Sequence, residues 1–370
     1  MRYNWQQKDW PNFRFESGRL EKLLLALAEA EGQLTGLSGA LPEGIKEASV
    51  IDMMVAEALK SSAIEGEYLS REDVLSSIRN NLGLNRFPER VRDKRAEGIA
   101  RLMVEVREHF ADKLTEEMLF SWHRMMMEPF ANIQPGQWRT GAEPMQVISG
   151  KLGKEIVHFE APPSERVPME MTHFIDWFNR TVPNQDQEII HVPIRAAIAH
   201  LYFESIHPFE DGNGRIGRAI AEKVLSQGSG KGVLFSLSHA IESDRHAYYA
   251  ALKGAQSSNE ITDWLQFFLQ TILNARQIAI RQIHFTIKKA HYFDHFPNQF
   301  NTRQEKALNR MFEAGPDGFD GGMNARKYVA ITQTSKATAT RDLQELLKMG
   351  ALKVIGGGRS TRYELNIDLG

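Results

Sequence analysis

No cysteine occurs among the 370 residues, which excludes a disulfide framework, a thiol nucleophile and a thiolate zinc site. No apolar run approaches the roughly 18 residues that a membrane helix needs. The opening MRYNWQQKDWPNF has the pattern of neither a signal peptide nor a transit peptide, so a cytoplasmic location without membrane association is expected. The G-x-x-x-x-G-K-[ST] phosphate loop is missing, and so are internal repeats and low-complexity tracts. An excess of one charge sign is missing too: 45 Lys and Arg stand against 47 Asp and Glu, a net charge of −2. That balance argues against a chain that binds polyanions along its whole surface. What is present is an ordinary globular composition, 42% hydrophobic and 25% charged, long enough for two or three domains.

The chemistry concentrates in twelve consecutive residues, His207-Pro208-Phe209-Glu210-Asp211-Gly212-Asn213-Gly214-Arg215-Ile216-Gly217-Arg218. Upstream, Ile190, Ile194, Ile198, Leu201 and Ile206 recur at near-helical spacing, so a helix should end at the histidine. Downstream, Ile216, Ile220 and Val224 repeat every four residues, so a second helix should begin just after the Gly-Asn-Gly turn. Arg215 and Arg218 then share one face of its first turn. A helix N-terminus offers unpaired N–H groups and the positive end of the dipole, and glycines before it let an anion come close. Arginine suits phosphate oxygens. Asp211 is a hard oxygen ligand fit for Mg²⁺ bridging phosphates. His207 is the candidate proton acceptor for a hydroxyl that attacks phosphorus.

These residues fill every defined position of H-x-F-x-[DE]-G-N-G-R-x-x-R, and the chain thereby resembles the Fic family of protein adenylyltransferases. Eight fixed positions arise by chance in a chain this long on the order of once in 10⁸. The resemblance implies a mainly α Fic (Fido) helical fold with a β-hairpin flap. It implies transfer of AMP from ATP, with Mg²⁺, to a Ser, Thr or Tyr hydroxyl of a target protein or of the chain itself, releasing pyrophosphate. His207 would be the general base and Asp211 the metal ligand. Asn213, with the backbone of Gly212 and Gly214, would cradle the transferred phosphate, and Arg215 and Arg218 would hold the β and γ phosphates. Phe209 reads as a buried anchor of the loop. ATP rests on the resemblance, since related proteins transfer UMP or phosphocholine with a similar motif.

A second motif, Ser61-Ser62-Ala63-Ile64-Glu65-Gly66, closes a helical pattern over about residues 45–66 whose apolar face is Ile51, Met54, Val55, Ala58, Leu59 and Ser62. Gly66 is a helix stop. The segment is similar to the [ST]-x-x-x-E-[GN] inhibitory motif of the same family, with Ser61 and Glu65 one turn apart. A bidentate Glu65–Arg218 pair would occupy the room a γ-phosphate needs. The resemblance also allows Glu65 to assist AMP removal. Between the motifs, Gln146 to Phe159 reads as a hairpin. In the family this is the flap that aligns a target strand by backbone pairing, which makes Val147, Ile148, Ser149 and Gly150 the docking candidates. Tyr249 and Gln256, on a stretch similar to the helix lining the adenine slot, are candidate nucleotide contacts.

Three domains are expected: a helical extension over 1–112 that carries the inhibitory helix, a catalytic domain over 113–295, and a C-terminal domain over 296–370. Ser70 and Asp73 read as a capping-box start, as do Thr302 and Glu305. Trp5, Trp10, Phe13 and Phe15 should pack the N-terminal arm onto the body. Helices expected from Thr302, over Ala325–Ile331 and over Lys336–Met349, then strands Leu352–Ile355 and Arg362–Leu365, resemble a winged helix-turn-helix. From Asn324 to Arg362 there are eight basic residues and only two acids, Asp342 and Glu345. Lys336, Arg341 and Arg359 are therefore candidate contacts to duplex DNA. The competing function is a DNA-binding transcriptional regulator with the Fic pocket as nucleotide sensor. Relatives commonly dimerise, so a homodimer is a further expectation.

Overall fold

A computed structural model describes residues 2–149, 156–357 and 361–367. The chain is mainly helical: α1 Glu21–Ala40, α2 Glu43–Ile64, α3 Arg71–Asn81, α4 Lys94–Glu108, α5 Glu116–Met127, the strands β1 Gln146–Ser149 and β2 Ile156–Glu160, then α6 Val167–Arg180, α7 Val192–Ile206, α8 Asn213–Ser229, α9 Leu237–Ser243, α10 Arg245–Ala255, α11 Thr262–His295, α12 Thr302–Phe312, α13 Ala325–Thr332, α14 Lys336–Lys348, β3 Leu352–Ile355 and β4 Arg362–Leu365. Two compact units result. One holds the described residues up to Thr35 and from Lys46 to Gln277; the other holds Gly36–Ile45 and the described residues from Ile278 on.

Helix starts follow side-chain chemistry. Thr115, Asp93, Ser236, Asp244, Asn324 and Ser335 each accept a hydrogen bond from a first-turn N–H, the usual N-cap arrangement. Ser70 caps α3 in the same way, but Asp73 does not complete the box; its carboxylate accepts from the Arg92 N–H at 3.1 Å. The capping box of α12 lies one residue earlier than expected, with Asn301 as cap and Gln304 as its reciprocal partner. Asn is a better N-cap than Thr, and here the amide oxygen of Gln304 accepts from the cap N–H at 2.9 Å. Ile190 falls outside α7 and is exposed, because Pro193 fixes the start of the helix.

In the first unit α7 is buried on all sides, from Ile194 to Ile206, and packs along α8. It is the axis of the unit and delivers His207 at its end. The N-terminal segment closes over it. Trp10 and Phe13 stack edge-on against Tyr202 of α7, Asn4 Nδ2 donates to Ser205 Oγ at 2.8 Å, and Trp5 Nε1 donates to the Glu160 carbonyl at 2.8 Å. On α2, Glu57 is buried within the apolar face. Its carboxylate accepts from Ser236 Oγ and from the backbone N–H and hydroxyl of Ser238, tying α2 to the start of α9.

β1 and β2 form an antiparallel pair, Gln146 opposite Glu160 and Val147 opposite Phe159, with a bulge before the Ile148–Val157 pair. In the second unit β3 and β4 pair from Leu352–Leu365 to Ile355–Arg362. Their helices enclose an aromatic core of Tyr292, Phe296, Phe312, Tyr328, Leu343 and Leu346. Asp342 is buried there, held by Arg303 and by the Tyr328 hydroxyl at 2.9 Å. No helix among the described residues is long and apolar enough to cross a membrane.

Candidate active site

His207 follows α7 with φ 50° and ψ 60°, a left-handed conformation uncommon for a residue with a side chain. Arg139 holds it there. Its Nε donates to the His207 carbonyl at 2.8 Å, Nη2 donates to Pro162 O and Ile206 O, and its backbone N–H donates to Pro208 O. The guanidinium thus caps the last carbonyls of α7. Phe209 is fully buried and stacks on His123, centroids 4.1 Å apart. His123 Nδ1 accepts from the Gly136 N–H at 2.8 Å, which leaves Nε2 to donate to Asp211 O at 3.2 Å. Burial depresses this ring to about 4, keeping it neutral. His207 is likewise depressed to about 4, by burial and then by the Arg139 charge, so it stands in the proton-accepting form.

Asn213 is bonded within the loop. Its buried amide closes on Phe209, Oδ1 accepting from that N–H and Nδ2 donating to that carbonyl, both at 2.9 Å. This closure shapes the loop. The start of α8 carries no side-chain cap, so its first N–H groups suit an anion.

Arg218 is almost fully buried. Nε donates to Ser61 Oγ at 2.9 Å, and Nη2 donates to Ser61 O at 2.9 Å and to Glu65 Oε1 at 2.8 Å. The expected pair forms, but through one carboxylate oxygen rather than two: Nε is taken by the Ser61 hydroxyl, and Nη1 stays without an acceptor. Glu65 Oε2 lies 3.5 Å from the Tyr249 hydroxyl. Gly66, with φ 84°, ends α2 as expected and turns the chain so that both flanking acids face α8. Burial raises the Glu65 carboxyl, but Arg218, Arg215 and His207 outweigh it and hold it below the usual range. A Cβ on Gly214 would overlap Glu65 Oε1.

Glu67 escaped the sequence reading. Its Oε1 pairs with Arg215 Nη1 at 3.0 Å, while Arg215 Nη2 lies 3.6 Å from Asp211 Oδ1. Both arginines are thus claimed by acids on either side of Gly66; the Glu-Gly-Glu spacing was the available signal. Arg215 Nε and Arg218 Nη1 remain buried without acceptors. Two such cationic donors beside an uncapped helix start fit a polyphosphate. Asp211 is exposed, its Oδ1 accepting from the Gly212 N–H. No cluster of three acidic or histidine ligands occurs among the described residues. A single carboxylate fits Mg²⁺, which is typically held by one or two carboxylates, substrate phosphates and water.

Of the nucleotide candidates on α10, Tyr249 keeps a partly exposed ring, and its hydroxyl reaches Ile64 O at 3.4 Å. Gln256 is buried, its amide donating to Glu204 O at 3.1 Å. Val147, Ile148 and Ser149 lie in β1, which among the described residues pairs with β2 alone. Gly150 lies outside the described residues, as does Arg359. Lys336 and Arg341 are exposed on α14.

Residues 113–225 match a family model described as Fic/DOC family, and residues 3–84 match a domain of unknown function (DUF4172). Protein adenylyltransferase Fic of Nematostella vectensis is 30% identical over 127 residues, 34% of this chain and 27% of that protein. A probable protein adenylyltransferase of Aquifex aeolicus is 32% identical over 98 residues, 26% of this chain and 27% of that one. The chain therefore spans about a quarter of the length of the curated relatives it matches. The crystal structure of a Fic family protein from Desulfovibrio desulfuricans aligns with a TM-score of 0.56 at 21% identity, over 96% of this chain and 98% of that one. Fic-1 from C. elegans aligns at 0.52 and 18% identity, over 74% and 76%. The architecture is the mainly helical Fic fold.

Proposed function

We propose that the chain is a protein adenylyltransferase held off by its own Glu65. The observation that carries this reading is the 2.8 Å pair between Glu65 and the buried Arg218, set in a complete phosphate-binding segment. The hydroxyl oxygen of a target Ser, Thr or Tyr, or of the chain itself, attacks the α-phosphorus of ATP. The new O–P bond forms, the bond to pyrophosphate breaks, and the hydroxyl proton passes to His207. Backbone N–H groups at the start of α8 face the transferred phosphate, and Arg215 and Arg218 take the β and γ phosphates once Glu67 and Glu65 release them. Asp211 would hold Mg²⁺, which would supply charge neutralisation of the phosphates. Tyr249 flanks the adenine, and the open edge of β1 at Val147–Ser149 receives the target strand. Glu65 is also placed to act on water when AMP is removed. Incubation with ATP and Mg²⁺ followed by intact mass tests the reading: added AMP, absent in His207→Ala, is the expected outcome, and no addition in the Glu65→Gly variant overturns it.

A second reading rests on one observation in the C-terminal unit. Asp342 is turned into the core, so the exposed residues of α14 include Lys336, Thr340, Arg341, Gln344 and Lys348, with Glu345 as the remaining acid. This face suits a recognition helix of a winged helix-turn-helix on duplex DNA. A salt-dependent mobility shift that is lost on replacing Lys336 and Arg341 by alanine supports a regulator with a nucleotide-sensing pocket. No shift at low salt removes it.

A further inference from the structure

Glu204 lies one helical turn before His207 and is almost wholly buried. Several buried polar side chains of α7 have partners: Arg195 bonds Thr181, Gln227 and Phe178, His200 Nε2 bonds the Tyr248 hydroxyl, and Ser205 bonds Asn4, whereas the Tyr202 hydroxyl has none. Glu204 Oε1 is also buried without a hydrogen bond. Oε2 lies 3.7 Å from His207 Nδ1, itself buried without a hydrogen bond. Burying a carboxyl in this way is unfavourable, yet the neighbouring helix leaves room for it: a Cβ on Gly217 would overlap Oε1.

We infer, on the adenylyl-transfer reading above, that Glu204 is a positioning residue for His207, holding the imidazole as the Nδ1–H tautomer and leaving Nε2 to accept the hydroxyl proton. Neutral imidazole carries one N–H, and the partner of the inner nitrogen decides which nitrogen remains a base. A carboxyl in either protonation state presents an oxygen that accepts from Nδ1–H. At 3.7 Å the pair is longer than a hydrogen bond, and catalytic pairs commonly stand at such a distance until substrate binds.

The charged surroundings are consistent with this role. Arg139, Glu65 and Asp211 face His207; Glu65, Arg218 and Tyr248 face Glu204; and the Glu204 carbonyl approaches the same ring. Burial, then Glu65, pushes Glu204 up to about 8, so both members of the pair are neutral near pH 7. When the acceptor proton reaches Nε2, the Nδ1–H belongs to an imidazolium and donates more strongly to Glu204.

The test compares Glu204→Met and Glu204→Gln in the full chain carrying Glu65→Gly. Ring ¹⁵N chemical shifts of His207 report the tautomer independently of activity, and intact mass reports AMP added over time. Glu204→Met, similar in size but with only a weakly accepting thioether in place of the carboxyl, should give a tautomer mixture and a kcat lower by about 30- to 100-fold, with KM for ATP within about twofold. Glu204→Gln keeps an acceptor oxygen and should recover Nδ1–H and most of kcat. A ring that stays wholly Nδ1–H in both variants, with kcat unchanged or equally reduced, overturns the inference and assigns the tautomer to the Glu204 carbonyl. If the Glu65→Gly parent transfers no AMP, the adenylyl-transfer reading fails, while the ring spectra still decide whether Glu204 sets the tautomer.

Discussion

Two arginine–carboxylate pairs in this molecule are built in opposite senses. In Arg218–Glu65 the cation is the buried member, 1% exposed against 27%; in Arg303–Asp342 the acid is, 3% against 43% for the arginine. Loss of the more exposed member therefore has opposite outcomes. Without Glu65, Arg218 keeps both bonds to Ser61 and gains room for an anion from solution. Without Arg303, Asp342 keeps the Tyr328 hydroxyl but remains a buried charge that nothing from solution replaces. On the proposed reading, the same chemical pair is a switch in one unit and a strut in the other, and the side that meets water decides which.

The strongest way to break that comparison is Glu65→Gly, which should raise AMP incorporation by roughly 10- to 100-fold in a labelling time course. Unchanged labelling would mean that the pair is a strut after all. Glu67→Gln should give a smaller gain, about 3- to 10-fold, because Arg215 still faces Asp211, and it should add to Glu65→Gly. A fall in transfer would instead make Glu67 a helper of the nucleotide. Arg303→Ala should lower the unfolding free energy of the C-terminal unit by about 1–3 kcal/mol, read by denaturant titration, without changing transfer in the Glu65→Gly background. Acid should act most gently. Burial raises the Asp342 carboxyl, but Arg303 and the Tyr328 hydroxyl outweigh it and hold it below its ordinary value of 3.8. A depressed carboxyl contributes stability above its unfolded pKa and loses it as pH falls through the folded value. Stability of that unit should stay level from pH 7 to about 5 and decline below about 4; a pH-dependent melt in which Arg303→Ala leaves the onset unmoved would argue against the pair.

The catalytic loop was legible because its residues are contiguous: local spacing alone placed His207 at the end of one helix and two arginines at the start of the next. The C-terminal strands and helices were legible for the same reason, since caps, turns and periodicity are local. What the sequence hid depends on distant partners. Glu67 meets an arginine 148 positions away; the Glu65-Gly66-Glu67 spacing marks it as a second acid but does not say which arginine it meets. Glu204 sits in α7, which is buried on every side and so offers no polar face against which an inward acid would stand out. The bonds of Asn213 were hidden because its residue type suits both an anion contact and a loop closure, and only the folded backbone brings the Phe209 N–H and carbonyl to its amide. The single-oxygen geometry of Glu65 depends on side-chain orientation at Arg218, where Ser61 holds Nε and Glu65 reaches Nη2 alone.

If Glu65 inhibits as proposed, the bare backbone at Gly214, against which Glu65 Oε1 rests, makes escape from inhibition one-sided. A side chain there would evict the carboxylate, but it would also fill the space kept for the phosphate, so unlocking from α8 disables the pocket it opens. Changes on α2 carry no such penalty. Spontaneous variants selected for unrestrained transfer should therefore cluster at Ser61 through Glu67 and avoid the catalytic segment.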